Sequence, residues 1–301
     1  MNTLSRVRSA EGFKVPAQLI VGILLLAFAW PIAWFGNPPL SEHTFFSIWL
    51  GYVLSVDGLV LCRAGSSPFA RSRSEFVGLF VASIPLWWLF ELANHFLDNW
   101  HYLVSQQVGP WQSHFEASLS FSTVIPAVFE TSELYATTWL ARRSWRLMAI
   151  KPSRRGLVAI AVGGLILFVL SVAVPHYFFP FVWIGVFFAL DPVNALFDQP
   201  SISQQVARNQ WNTVVILFAA GITCGFFWEM WNYWSMPKWI YDVTFAGRFH
   251  LFEMPVLGYG GYFPFALEVY AIYHFLRFVI GKRERSFLSF DDQTNRELGT
   301  R

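Results

Sequence analysis

The chain consists mainly of long apolar stretches separated by short polar ones. A helix needs about 20 apolar residues to cross the hydrocarbon core of a bilayer. Stretches of that length predict eight membrane-spanning helices, at approximately 16–35, 43–62, 76–97, 119–141, 156–174, 177–197, 211–234 and 255–280. The basic residues before the first stretch resemble the start of a signal peptide. Because the apolar run is long and no clean small-residue cleavage site follows it, we expect a retained helix.

Composition supports an all-α polytopic membrane protein. Of the 301 residues, 55% are hydrophobic and only 13% are charged, whereas soluble domains carry about 25% charged residues. A net charge of +2 argues against nucleic acid as a partner. Cys62 and Cys224 lie inside apolar runs, and the histidines show no HxxxH or HExxH spacing. We therefore expect no disulfide framework, no metal site and no cofactor.

The distribution of Lys and Arg predicts the orientation in the membrane. These residues cluster at 6–14, 63–73, 142–155 and after Arg277. With eight spans, all four clusters fall on one face, which the positive-inside rule makes cytoplasmic. Both termini are then expected in the cytoplasm.

An internal repeat is visible in three ordered pairs of motifs, each pair separated by 134 to 139 residues. In the first pair, Trp49-Leu-Gly51 with Asp57 matches Trp183-Ile-Gly185 with Asp191. In the second pair, Glu91-x-x-Asn94 with Trp100-x-Tyr102 matches Glu229-x-x-Asn232 with Trp239-x-Tyr241. In the third pair, Pro126 with Glu130 matches Pro264 with Glu268. We predict two four-helix repeats, 1–150 and 151–301, the second carrying a short cytoplasmic tail. Since each repeat has an even number of spans, both are expected to insert in the same orientation.

Carboxyl groups inside the spans are the candidate chemistry. Glu130, Glu268, Glu91 and Glu229 recur at matching places, with no Lys or Arg beside them in the apolar stretches. An ionisable residue at the bilayer centre is costly and usually faces the interior of the bundle. We predict that these four are catalytic and converge on one central cavity.

Other polar and aromatic residues near these glutamates are the candidate substrate-binding residues. Each Asn three residues after a Glu shares a helix face with it and is expected to hydrogen-bond its carboxyl. The predicted binding residues are Asn94, Asn232, Trp87, Trp88, Trp228, Trp231, Tyr233, Glu133 and Glu253.

Structural interpretations remain open for several of these features. Buried carboxyls, Asp57 and Asp191 above all, can serve as interhelical hydrogen-bonding groups or mark helix ends. The Trp and Tyr residues of the two W-x-Y segments can be interfacial anchors. The Gly- and Pro-rich segment 252–264 either lines a cavity or is an irregular loop before the eighth span.

The repeated pattern of an acid near Asn, a W-x-Y segment and a Pro-plus-Glu helix resembles the integral-membrane lycopene cyclase family. In that family, acidic motifs are thought to protonate a polyene. The nearest matches here are Pro126 with Glu130 and Glu133, and the segment 252–255 leading to Glu268. The chain also resembles uncharacterised bacterial multi-pass proteins with a Trp-Trp-x-x-Glu pattern, so we expect a bacterial inner (plasma) membrane.

Three functions follow from these patterns. The first is an intramembrane acid–base enzyme that protonates an alkene of an isoprenoid- or carotenoid-like lipid. The second is a proton-coupled transporter, and the third is a non-catalytic lipid- or pigment-binding subunit of a membrane complex. The expected partners are a membrane lipid or isoprenoid substrate and, for the third function, another membrane protein. Oligomeric state and substrate identity are not predicted by the sequence.

Overall fold

The computed structural model describes residues 14–105, 108–243, 249–282 and 287–291, and these are mostly helical. The N-terminal part contains α1 (Ala17–Phe35), α2 (Phe45–Ala64), α3 (Pro68–Arg71), α4 (Arg73–Leu97), β1 (Trp100–Leu103), α5 (Pro110–Phe121), α6 (Val124–Ala136) and α7 (Trp139–Arg142). The C-terminal part contains α8 (Arg154–Ala173), α9 (Pro175–Phe178), α10 (Val182–Leu196), α11 (Ile202–Ala207), α12 (Asn212–Asn232), β2 (Lys238–Tyr241), β3 (His250–Leu251), β4 (Met254–Pro255) and α13 (Tyr262–Val279). Short 3₁₀ turns lie at Leu40–His43, Phe179–Phe181 and Val256–Gly261.

Six helices in the described part of the chain are long and apolar enough to cross a membrane. They are Ala17–Phe35, Phe45–Ala64, Arg73–Leu97, Arg154–Ala173, Pro175–Leu196 and Asn212–Asn232. The fifth of these joins α9, a 3₁₀ turn and α10. The protein is therefore a multi-pass, mostly helical membrane protein, as its apolar pattern predicts.

The predicted fourth and eighth spans are not among these six helices. A turn at Ser122–Thr123 splits the fourth into α5 and α6, where Ser83 Oγ of α4 accepts hydrogen bonds from the backbone N–H groups of Val124 and Ile125. The resulting α6 has 13 residues, about 20 Å of helix, which is shorter than the hydrocarbon core.

The eighth predicted span forms as a 3₁₀ turn followed by α13. This helix carries Glu268, His274 and Arg277, which lower its mean hydropathy. The Gly- and Pro-rich segment before it folds into the two-stranded sheet of β3 and β4 and that 3₁₀ turn. The structure thus supports six of the eight predicted spans.

Glycines allow two helix pairs to pack with their backbones in contact. A Cβ atom added at Gly22 of α1 would lie 2.5 Å from the backbone nitrogen of Ser55 and 2.6 Å from the carbonyl oxygen of Gly51, both on α2. A Cβ added at Gly164 of α8 would meet the backbone of α10 in the same way, including the carbonyl oxygen of Gly185. Small residues are the usual means of close helix association in membranes.

The ends of the bundle have different contents. At one end, β1 and β2 pair antiparallel beside the C-termini of α4 and α12. This two-stranded sheet is here called the ribbon, and this end of the bundle the ribbon end. At the opposite end, here called the basic end, lie α3, α7 and α11 and most of the Lys and Arg residues that the structure describes. Of the predicted N-terminal basic cluster, Arg6 and Arg8 lie outside the described residues.

Candidate functional site

Glu91 of α4 receives three hydrogen bonds from aromatic side chains. Its Oε1 accepts from Trp87 Nε1 at 2.9 Å, Trp100 Nε1 at 3.1 Å and Tyr102 OH at 2.6 Å. Trp87 lies one turn earlier on α4, whereas Trp100 and Tyr102 belong to β1. Here the W-x-Y segment does more than anchor the chain, because both of its aromatic side chains donate to the glutamate.

Glu229 of α12 has a similar aromatic environment. Its Oε1 accepts from Tyr241 OH at 2.7 Å and Tyr262 OH at 2.5 Å, and Trp239 Nε1 donates to Tyr241 OH at 2.8 Å. Burial and the adjacent Glu229 carboxyl raise the pKa of Tyr241 well above the usual range of a phenol. Tyr241 therefore stays protonated and acts as a donor. The second oxygen of Glu229 is buried and has no hydrogen-bond partner among the described residues.

The two asparagines do not hydrogen-bond the glutamates, contrary to our expectation. Asn94 Nδ2 donates to the Trp100 carbonyl at 2.8 Å, and Asn94 Oδ1 accepts from the backbone N–H of Asn99 and Trp100. Asn232 Nδ2 donates to the Trp239 carbonyl, and Asn232 Oδ1 accepts from the backbone N–H of Trp239. The chain turns back directly after each helix, so the amide meets the backbone of the following strand first. Both asparagines therefore position the W-x-Y strands.

The strand pairing relates the two W-x-Y segments to each other. In the register, Trp100 lies opposite Tyr241, and Tyr102 lies opposite Trp239. Each Trp is thus paired with the Tyr of the other segment. The ribbon joins the environments of Glu91 and Glu229 at one end of the bundle.

A cluster of aromatic rings lies below the ribbon. Phe265 of α13 has ring-centroid distances of 5.8 to 6.0 Å to Trp87, Phe90, Trp183 and Trp228. All four pairs are edge-to-face, with interplanar angles of 64° to 85°. The rings of α4, α10, α12 and α13 are therefore in direct contact between the two glutamate environments.

Glu130 of α6 and Glu268 of α13 lie deeper in the bundle and are fully buried. Neither carboxyl forms a hydrogen bond of ordinary geometry with the described residues. Glu130 interacts with the acidic side chains of Asp57 and Glu133, and Glu268 interacts with the backbone of Val186 and Phe187. The two carboxyls thus have different neighbours although their places in the sequence match.

Two cavities formed by the described residues can be compared with the single central cavity on which we expect the four glutamates to converge. One, of about 20 Å³, lies at the ribbon end between α2 and α12. The other is a groove of about 430 Å³ at the basic end. None of the four glutamates lines either of them.

Two further predicted binding residues are in ion pairs. Glu133 is fully buried, lies 2.9 Å from Arg71 and accepts hydrogen bonds from the backbone N–H and Oγ of Ser289. Glu253 pairs with Lys238. These contacts are at opposite ends of the bundle.

The remaining predicted aromatic residues are spread over the ribbon half of the molecule. Trp88 Nε1 donates to Ser118 Oγ and its ring stacks on His114. Trp228 and Trp231 are buried and both contact Trp49. Tyr233 is 36% exposed and lies beside the Lys238 ammonium. Of this group, only Trp228 contacts the aromatic cluster around Phe265.

Asp57 and Asp191 are structural groups in both parts of the chain. Asp57 accepts from Ser67 Oγ at 2.9 Å and the backbone N–H of Phe69, where α3 begins. Asp191 accepts from the backbone N–H of Ile202 and Ser203 at the beginning of α11, and from Ser203 Oγ. Each carboxylate thus satisfies free N–H groups of a short helix, in agreement with the helix-end interpretation of both residues.

Tyr262 is a site residue that the sequence motifs did not indicate. Counted at the repeat offset of Glu91 and Glu229, Trp87 corresponds to Gly225. The Tyr262 ring lies over Gly225, where an added Cβ would meet three of its ring carbons. A donor from α13 thus occupies the place that Trp87 fills in the first repeat. The sequence signal for this residue was the absence of an aromatic residue at position 225, which meant that a donor to Glu229 had to come from another helix.

No protein family, curated protein or solved structure matches the chain. Within the described residues, no group of three or more His, Cys, Asp or Glu side chains is arranged to hold a metal ion.

Proposed function

We propose that the protein is an intramembrane acid–base enzyme that acts on an isoprenoid- or carotenoid-like lipid. The observation that carries this proposal is the pair of fully buried carboxyls, Glu130 and Glu268, neither of which forms a hydrogen bond of ordinary geometry with the described residues. A carboxyl that holds helices together forms hydrogen bonds, as those of Glu91 and Asp191 do. An unsatisfied buried polar group is costly and calls for another reason to be there.

In this proposal, Glu130 and Glu268 are general acids. A protonated carboxyl transfers its proton to one carbon of an alkene, so that the π electrons form a new C–H bond and the other carbon becomes a cation. A carboxylate, Glu91 or Glu229, then takes a proton from a neighbouring carbon, and the electrons of that C–H bond form a new double bond. The product is an isomer of the substrate, and no oxidant, reductant or cofactor takes part.

The positions along α13 are compatible with this division of roles. Tyr262 binds Glu229, and Glu268 lies six residues further along the same helix, about 9 Å along its axis. Phe265 and its aromatic neighbours lie between the two levels. Aromatic faces stabilise a carbocation by cation–π attraction, by about 2 kcal/mol or more away from water. The unpartnered oxygen of Glu229 can accept the proton.

The architecture that we infer for this enzyme is two parallel repeats, 1–150 and 151–301, in a bacterial inner membrane. The matched contacts of Glu91 and Glu229, of Asn94 and Asn232, and of the two W-x-Y strands support the repeat. The basic end is placed in the cytoplasm by the positive-inside rule, and both termini with it.

The test is solvent-deuterium labelling of lipids by the purified full-length protein. The protein is incubated in D₂O with vesicles that contain lycopene or a shorter isoprenoid, and the extracted lipids are analysed by chromatography and mass spectrometry. Protonation of a double bond by an exchangeable carboxyl followed by loss of a proton introduces one deuterium into the isomer. Glu130→Gln and Glu268→Gln should each lower this labelling at least about 100-fold, the usual contribution of a general acid.

Glu116→Gln is the matched control, since Glu116 on α5 is partly exposed and outside the aromatic cluster. It should label lipids as the unchanged protein does. If both buried variants also label normally, the proposed roles are wrong. If the unchanged protein retains an isoprenoid through purification but never labels it, the result favours the non-catalytic lipid- or pigment-binding alternative. The direct contacts of the rings around Phe265 favour that second candidate.

A further inference from the structure

The groove of about 430 Å³ at the basic end lies outside the site described above. It is lined by Arg63, Tyr135, Thr137, Thr138, Trp139, Leu140, Arg142 and Ala219. These residues come from the end of α2, the end of α6, the short helix α7 and the flank of α12. Its walls are therefore built from four elements that meet where the chain leaves the apolar part of the bundle.

The charge in this groove is not balanced by the protein. Two arginines line it, and no Asp or Glu does. Arg63 Nε donates to Thr137 Oγ1 at 2.7 Å, which holds the guanidinium at the groove, while Arg63 and Arg142 have no ion pair among the described residues. By contrast, Arg71 and Arg277 at the same end pair with Glu133 and Glu75. A planar guanidinium without an acid partner is well suited to a phosphate group.

The other wall of the groove is apolar. Leu140 and Ala219 line it together with two aromatic residues, Tyr135 and Trp139. Trp139 is 66% exposed, as is typical of a tryptophan at the level of lipid headgroups. A soluble anion needs no such wall, whereas an acyl chain does.

The geometry points to a binding site for an anionic phospholipid, with the phosphate at Arg63 and Arg142 and an acyl chain along Leu140 and Ala219. This site is independent of the proposed enzyme activity and of the glutamates at the other end. Its occupant comes from the leaflet at the basic end, and it anchors α7 to the bundle.

The experiment measures lipids that stay bound to the full-length protein by native mass spectrometry. The probes are dioleoylphosphatidylglycerol and dioleoylphosphatidylcholine, added separately to delipidated protein in detergent. We expect clear preference for the glycerol lipid. Arg63→Gln and Arg142→Gln should each weaken its binding about fivefold, the effect of one basic residue near an anionic headgroup, and leave binding of the choline lipid unchanged.

Arg155→Gln is the matched control, because Arg155 is an exposed basic residue at the start of α8 that does not line the groove. It should bind both lipids as the unchanged protein does. Equal binding of the glycerol lipid by Arg63→Gln, Arg142→Gln and the control would overturn the proposal. Displacement of the glycerol lipid from the unchanged protein by inorganic phosphate would also overturn the proposal, because it would identify a site for a soluble anion.

Discussion

Asn94 positions β1 with a single amide, because it satisfies one carbonyl and two N–H groups of the chain that follows α4. Its Nδ2 donates once and its Oδ1 accepts twice in a buried environment, where Asn94 is only 9% exposed. Two of the three aromatic donors to Glu91, Trp100 and Tyr102, are in this strand. The amide therefore determines where Trp100 and Tyr102 meet the glutamate.

Replacing Asn94 by Ala should lower the free energy of unfolding by about 2 kcal/mol, because backbone groups of Asn99 and Trp100 lose their buried partner. The measurement is thermal unfolding in detergent, followed by circular dichroism. Asn232→Ala should have a similar effect. The double variant should destabilise by less than the sum of the two, since both amides hold one ribbon. Gln112→Ala on the exposed face of α5 serves as control. Strict additivity would contradict a shared structural role.

At the scale of single residues, the sequence predicted which residues lie at the ribbon end better than it predicted their hydrogen-bond partners. The recurrence of Glu91 with Asn94 and of Glu229 with Asn232 was visible as spacing, and the structure places all four at the ribbon end. The hydrogen-bond partners were not predictable, because helix periodicity relates residues three or four apart. Tyr262 reaches Glu229 across 33 positions of sequence, which no local pattern records.

Helix pairs show the same contrast at the scale of elements. The apolar stretches predicted the six long helices closely, since length and hydropathy alone define a span. The break between α5 and α6 depends on Ser83, a residue of another helix. Its position could not be read from the stretch 119–141 itself.

Two adjacent glycines of α8 provide a sharp test of the packing between helices. A Cβ at Gly164 would meet the backbone of Phe188 and Ala189 on α10, whereas a Cβ at Gly163 has nothing within 4 Å. Gly164→Ala should therefore destabilise the protein by about 1–3 kcal/mol, as overpacking does. Gly163→Ala should be neutral or stabilising by up to about 1 kcal/mol, because Ala is the better helix former.

The two glycine variants differ by one position and no other feature, so thermal unfolding of both separates packing from helix propensity. Gly22→Ala on α1 and Gly78→Ala on α4 form a second pair with the same logic. A destabilisation of equal size in both members of the first pair would mean that α8 and α10 do not pack as described, and the same result in the second pair would mean this for α1 and α2.

For the molecule as a whole, the segment 287–291 connects parts of the chain that are far apart in sequence. Leu288 and Phe290 are buried, and the Phe290 ring lies 5.6 Å from that of Phe129 on α6. Ser289 donates to Glu133, and Tyr270 of α13 donates to Asp291 at 2.5 Å. The segment thus covers the polar interior at the basic end, where α6 and α13 approach each other.

Phe290→Asp should release this segment, because it would place a further buried carboxylate beside the acidic side chains of Asp291 and Glu133. The free-energy cost is limited to the docking energy of the segment, since the helices remain packed without it. Limited trypsin digestion should therefore show faster cleavage after Lys282, while cleavage after the exposed Arg146 in the connection between α7 and α8 serves as reference within the same digest and stays unchanged. Ser289→Ala, which removes only one hydrogen bond to Glu133, should give an intermediate rate. Equal cleavage of all three proteins after Lys282 would show that the segment does not hold the basic end closed.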